Sequence, residues 1–385
     1  MLQKADRLHT VEEYYFSTKL REVAGLIKDG KPVINIAIGS PDLQPSTIVV
    51  DALKDAMQLD IAHKYQSYQG IPELRLGMRN FYKENYNVVL NANSEILPLM
   101  GSKEGIMHIS MAFLNKGDKV LIPNPGYPTY ASVTKLVEAK PVFYNLTEES
   151  NWLPNFKELE KEDLANVKIM WVNYPHMPTG AIASKENFKQ LIAFAKKHTI
   201  LIVNDNPYSF ILNNNPQSIL AIEGAKDVAI ELNSLSKTFN MAGWRVGMLV
   251  GAAEIIKTIL QVKSNMDSGM FLGIQKGAVE ALKLSSNWFE KQNTIYKRRR
   301  KLVWEIFDTL NCTYDINIGG LFVWAKLPEG LNSEEFTDTL LYEKDVFITP
   351  GTVFGSNGEG YIRASLCVSE TILEEVLIRL TTKNS

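Results

Sequence analysis

Residues 167–208 read VKIMWVNYPHMPTGAIASKENFKQLIAFAKKHTILIVNDNPY, and the way this stretch divides decides the fold. VKIMWVNY begins as a short, nearly continuous apolar run, KENFKQLIAFAKKH has the composition of a helix, and TILIVNDN returns to a strand. Strand, helix and strand in that order make the repeating unit of a parallel sheet, and strands this apolar are covered on both faces.

The alternation continues in both directions. Upstream lie the strand KVLIP (119–123), the helix PTYASVTKLVEA (128–139), the strand PVFYNL (141–146) and the helix FKELEKEDLA (156–165); downstream lie the strands DVAIELNS (227–234) and VGMLVG (246–251). A long helical region is expected over about 270–310. LFVWAKLP, VFITPG and YIRASL then read as strands, with SEEFTDTLLYE a helix and Ser369 the N-cap of a last one. The expected fold class is α/β. A large domain (46–285) carries a mainly parallel sheet covered by helices on both faces, and a smaller α+β domain is built from both chain ends (1–45 and 286–385).

Composition excludes several classes. The 385 residues carry 41 basic and 43 acidic side chains, a net charge of −2, so no long-range field gathers nucleic acid or anionic membrane. The basic run Lys297–Lys301 sits in NTIYKRRRKLVWEIFDTL, where Ile295, Leu302, Ile306 and Leu310 recur at helical spacing, and reads as a solvated helix face. Two distant cysteines, Cys312 and Cys367, fit a reducing compartment, and neither they nor the histidines His63, His108 and His176 form a metal pattern. The polar N-terminus lacks the apolar core of a secretory signal, and no apolar run is long enough to span a membrane. A soluble, cytoplasmic protein is expected.

In open α/β sheets ligands bind beyond the carboxyl ends of the strands. Asn173, Asp205 and the segment Ser234–Lys237 all fall there. Lys237 lies in SLSKTFNMAGWRVG, with Arg245 eight positions later and no acidic residue from Asn233 to Val250. That setting favours the unprotonated amine that attacks carbonyls. A lysine forming a Schiff base with pyridoxal 5'-phosphate also needs a phosphate site, a carboxylate for the pyridine nitrogen and a donor for the ring phenolate. Arg245 and Ser234 suit the phosphate, with Gly101, Ser102 and Lys103 opening a helix beside them. Asp205 suits the ring nitrogen and Tyr208 the phenolate. Neither G-x-G-x-x-G nor G-x-x-x-x-G-K-[ST] occurs, which disfavours dinucleotide and P-loop sites.

YQSYQGIPELR (65–75), GSKEGI (101–106), PNPGYPTY (123–130), NYPHMPTG (173–180), NDNPY (204–208), SLSKTFNMAGWRVG (234–247) and YIRASL (361–366) stand in an order that resembles the class I/II aminotransferases, fold-type I pyridoxal-phosphate enzymes. The resemblance implies Lys237 as the Schiff-base lysine and proton shuttle, Asp205 as the pyridinium partner and Tyr208 as a phenolate donor. It implies Ser102, Lys103, Ser234 and Arg245 on the phosphate, and Tyr127 stacked on the cofactor ring. It further implies Arg363 as the clamp on the substrate α-carboxylate, Gly39 in the loop that closes over substrate, and Tyr65 reaching the partner subunit's phosphate in a homodimer. The activity implied is a ping-pong transfer of an amino group between an α-amino acid and a 2-oxo acid. A C–S β-lyase and a catalytically weak cofactor-binding protein are the alternatives. Diaminopimelate derivatives, aspartate, aromatic amino acids and methionine all remain open as substrates.

One position departs from the family. Its usual Asn-Pro-Thr-Gly is Met177-Pro178-Thr179-Gly180 here, and a thioether cannot donate a hydrogen bond. The phenolate is then expected to hold the imine proton more tightly. Asn173 or His176 is expected to restore part of the lost contact.

Overall fold

The structure, a computed structural model, describes residues 2–11, 13 and 15–382. After a short strand β1 (Ile34–Asn35), seven strands build the main sheet: β2 (Ile96–Leu99), β3 (Lys119–Asn124), β4 (Lys140–Asn145), β5 (Val167–Val172), β6 (Leu201–Asp205), β7 (Ala229–Ser234) and β8 (Gly247–Val250). Their order is β2-β8-β7-β6-β5-β3-β4. β4, β3, β5, β6 and β7 run parallel, while β8 runs antiparallel to both its neighbours.

The apolar runs explain the two covered faces. Met170, Val172 and Ile202 enter one buried cluster and Ile169, Trp171 and Val203 the other, the period of two that a strand imposes. Parallel strands need crossovers, and the helices Ser102–Phe113, Thr129–Leu136 and Lys185–His198 supply them. Two expected helices differ. FKELEKEDLA forms only the single turn Phe156–Leu159, and the region 270–310 is two helices, Leu272–Ala281 and Ser286–Thr309.

A second sheet joins β9 (Thr313–Tyr314), β10 (Phe322–Lys326), β12 (Thr349–Pro350) and β13 (Tyr361–Ser365) in the order β12-β13-β10-β9, all antiparallel. Strand β11 (Val346–Phe347) pairs in parallel with β1, and Ser365 N–H donates to Ile36 O at 2.7 Å. The N-terminal segment is thereby stitched to C-terminal strands. Ser369 caps the last helix by accepting from Ile372 N–H.

The basic run on the Ser286–Thr309 helix is not wholly a solvated face. Arg299 is 2% exposed, its guanidinium donates to both Asp42 carboxylate oxygens at 2.7 and 2.9 Å, and it also reaches Glu370 and Leu366 O. Arg300 donates to Ile318 O. A helix residue directed at the core looks no different in sequence from its solvated neighbours when its partners lie far along the chain. Arg299→Met is expected to lower the unfolding free energy by about 2 kcal/mol, less than for a fully buried pair because Asp42 is partly wet. Urea unfolding of the two proteins measures the difference.

Candidate active site

Because β5, β6 and β7 are parallel and in register, their carboxyl ends deliver Asn173, Asp205 and Ser234 to one edge of the sheet. β8 begins at that same edge, with Gly247 opposite Ser234, so Arg245 just before it falls there too. A cavity of about 270 Å³ opens at this edge.

Lys237 sits in the one-turn helix Leu235–Thr238, capped by the Ser234 hydroxyl, which accepts from Ser236 N–H at 3.1 Å. Its amine faces the cavity and donates to the Gly39 carbonyl. Burial is the main influence pulling that amine below its usual pKa, with Arg363 and Arg245 adding to it and Cys367 opposing. The shift is in the direction that favours the free-base amine a carbonyl nucleophile needs.

Asp205 is 5% exposed. Its Oδ2 accepts from the Tyr130 hydroxyl at 2.9 Å, while among the described residues Oδ1 has no partner. Burial raises its carboxyl to about 6, Tyr130 works against that rise, and the buried Glu231 adds to it. An orphaned buried carboxylate oxygen at the floor of a cavity calls for a ligand N–H, preferably a cationic one. Tyr208 is buried beside it. Its hydroxyl makes no hydrogen bond among the described residues, and burial holds its pKa well above the ordinary tyrosine value.

Across the cavity, Ser102 and Lys103 open the Ser102–Phe113 helix, whose first N–H groups have no intrahelical acceptors. Gly101 lies just behind the cavity wall with φ +88°, and a Cβ there would come within 2.1 Å of Arg245 Nη2. The missing side chain is what lets the guanidinium lie against the helix start. Arg245 is itself left-handed at φ 56° and is braced by Ala242 O at 3.0 Å. Ser234, Ser236, Lys103 and Arg245 therefore converge on one polar pocket suited to a phosphate dianion.

Arg363, on β13, enters from the second sheet and is 6% exposed. Its guanidinium lies 3.8 Å from the Phe322 ring centre and 4.4 Å from that of Phe354, and it donates to Ala37 O at 3.0 Å and to the Met177 thioether at 3.3 Å. Gly39 lies beside Phe322, where a Cβ would approach the ring to 2.2 Å. Tyr127 lines the cavity, its ring edge-on to Tyr130 at 5.5 Å.

Asn173 faces the cavity but is held from both ends, its oxygen accepting from Met177 N–H at 2.8 Å and its nitrogen donating to Asp205 O. His176 is turned away, with Nδ1 at 2.8 Å from Thr179 Oγ1, and it is absent from the cavity walls among the described residues. Tyr65 is 92% exposed and does not line this cavity among the described residues.

Sequence reasoning missed Tyr130, Ser236, Phe322 and Phe354. Tyr130 was legible in PNPGYPTY as a second aromatic; the phenylalanines carry no local signal. It also missed that Glu104, His108 and Asp267 bring ligand atoms within 4.8 Å of one another, although the Lys263 ammonium already pairs with Asp267.

A buried lysine with a lowered pKa, an orphaned buried carboxylate oxygen and a polar pocket at a helix start, all on one α/β edge, suit an enzyme that uses an aldehyde cofactor of the pyridoxal phosphate type. The chain belongs to the class I and II aminotransferases: the model of the family described as "Aminotransferase class I and II" matches residues 31–380. It is 40% identical to the LL-diaminopimelate aminotransferase of Halothermothrix orenii, covering 100% of this chain and 99% of that one. It is likewise 40% identical to the enzyme of that name from Aquifex aeolicus, over 97% of both. Among solved structures it superimposes on substrate-bound BacF from Bacillus subtilis with a TM-score of 0.94, at 34% identity over 99% of this chain and 97% of that one. The protein is a pyridoxal-phosphate-dependent aminotransferase, and the orphaned Asp205 Oδ1 and the polar pocket at Ser102, Lys103 and Arg245 fit that cofactor.

Proposed function

We propose that this aminotransferase acts on LL-diaminopimelate or a close analogue, in the cytoplasm and as a homodimer. The substrate reading is supported by relatives of that name aligned over the whole chain at 38–40% identity. The β-lyase and weak-binding alternatives are not favoured, since these relatives are named as transferases. The dimer is supported by the exposed apolar side chains Ile61, Tyr65, Met266 and Phe271, which belong to two neighbouring segments joined by the stacked rings of His63 and Phe271. Tyr65 is then the residue offered to the partner's phosphate.

When bound, pyridoxal phosphate supplies an aldehyde that condenses with amines and a ring that accepts electrons released at the substrate α-carbon. The chain does the rest. Lys237 Nζ would anchor the cofactor's aldehyde and is the base placed to move the α-proton. Asp205 would hold a proton on the ring nitrogen. Tyr208 would donate to the phenolate and Tyr127 would pack on the ring. Ser102, Lys103, Ser234 and Arg245 hold the phosphate, while Asn173 fixes the Asp205 backbone. Arg363 binds the α-carboxylate, with Phe322 and Phe354 excluding water from its faces and Gly39 at the entrance.

The observation that carries this reading is that Lys237, Asp205 Oδ1 and Arg363 all meet one cavity. Borohydride reduction and peptide mapping are expected to find a pyridoxyl group on Lys237; an adduct elsewhere overturns the assignment. Half-reactions followed by cofactor absorbance are expected to be faster with LL-diaminopimelate than with aspartate, phenylalanine or methionine, and the opposite ranking removes the substrate proposal. Arg363→Lys is expected to raise KM for both amino and oxo acid about tenfold to a hundredfold, with a smaller change in kcat, because an ammonium replaces a two-pronged guanidinium. Steady-state kinetics checks this.

A further inference from the structure

The Met177 thioether lines the cavity together with Tyr208 and Arg363. Met177 is 7% exposed and packs in one cluster with Tyr208, Phe322 and Phe354. Its sulfur accepts from Arg363 Nη1 at 3.3 Å. It is thus a fixed part of the cavity wall that offers no N–H to a ligand. Asn173 spends its oxygen on Met177 N–H and one of its two N–H groups on Asp205 O, and His176, whose Nδ1 meets Thr179, does not line the cavity among the described residues. Tyr208 reaches the same cavity with its hydroxyl uncommitted among the described residues.

We infer that Met177 is a tuning residue of this chain: it offers the bound cofactor's phenolate oxygen no donor, and so keeps the Lys237 linkage protonated to higher pH than an asparagine at 177 allows. The inference rests on Lys237 being the cofactor lysine. The cause is electrostatic. A negative phenolate oxygen beside the linkage nitrogen holds a proton on that nitrogen, and each donor that shares the oxygen's charge weakens the hold. A donor to a charged oxygen is strong enough to matter, and a one-unit change in pKa corresponds to a tenfold change in the protonation equilibrium. Met177 also touches Arg363 through its polarizable sulfur, so a substitution there would be felt at the carboxylate clamp too.

The test is a pH titration of the cofactor's visible absorption in the loaded protein, with no turnover involved. Met177→Asn is expected to move the midpoint down by on the order of one pH unit, while Met177→Leu, which also lacks a donor, leaves it near that of the unaltered protein. Tyr208→Phe, which removes a hydroxyl donor, moves it upward. An unchanged midpoint in Met177→Asn, or an equal downward shift in Met177→Leu, overturns the inference. If Met177→Asn does not retain cofactor, an unmoved midpoint in Tyr208→Phe overturns it instead. Failure of the Lys237 reading looks different: the unaltered protein then shows no titrating band and no pyridoxyl group on Lys237.

Discussion

Lys237→Ala is expected to lower kcat by about 10⁴-fold or more while leaving the fold intact. The lysine performs two tasks, covalent attachment of the cofactor and movement of the α-proton, and general acid–base catalysis alone is worth about 10² to 10⁴. Its amine also donates to Gly39 O, but one hydrogen bond contributes only about 1 kcal/mol net, so thermal unfolding changes little. The missing group acts as a free-base amine, so added methylamine is expected to restore part of the activity, and more of it as pH rises and the free-base fraction grows. A variant with unimpaired turnover sinks the assignment; one that is merely unfolded is recognised by circular dichroism.

Asp205→Asn is expected to act in opposite directions on stability and on catalysis. The carboxyl is raised from the usual 3.8 to about 6 by burial. The folded state therefore binds an extra proton between these values. The associated stability is fully present below pH 3.8 and lost as pH rises through 6. At pH 8 without cofactor, the buried charge costs about 3 kcal/mol, two pKa units' worth. Asparagine carries no charge and still accepts from Tyr130, so the cofactor-free variant is expected to unfold at higher temperature than the unaltered protein at pH 8 and at about the same temperature at pH 4. With cofactor bound, the same change removes the anion that holds the ring nitrogen's proton, and kcat is expected to fall about 10²- to 10³-fold, as when one preorganised electrostatic partner is lost. Thermal unfolding at the two pH values and steady-state rates measure the two arms. Equal stability at pH 8 contradicts the raised carboxyl, and an undiminished kcat contradicts its role beneath the ring.

Most of the fold was legible because the sheet's strands are apolar on both faces and short, a pattern that neither a helix nor a half-wet strand shares. The antiparallel direction of β8 was not, since VGMLVG reads the same either way; only its pairing with β2 and β7 fixes it. The site was legible where chemistry sits at strand ends, as for Asp205 and Lys237. Residues that work by packing were hidden. Phe322 and Phe354 acquire meaning only once β10 and the segment after β12 close on Arg363. Arg299 was misread for a related reason: its partners, Asp42 and Glu370, lie 257 and 71 residues away.

That arginine ties together places the chain order keeps apart. Asp42 is close in sequence to Gly39, whose carbonyl receives the Lys237 amine, and Glu370 opens the final helix. The segment that carries Gly39 into the cavity wall is therefore moored to the start of the last helix by the Arg299 guanidinium, and a change at either end meets the other through that one side chain.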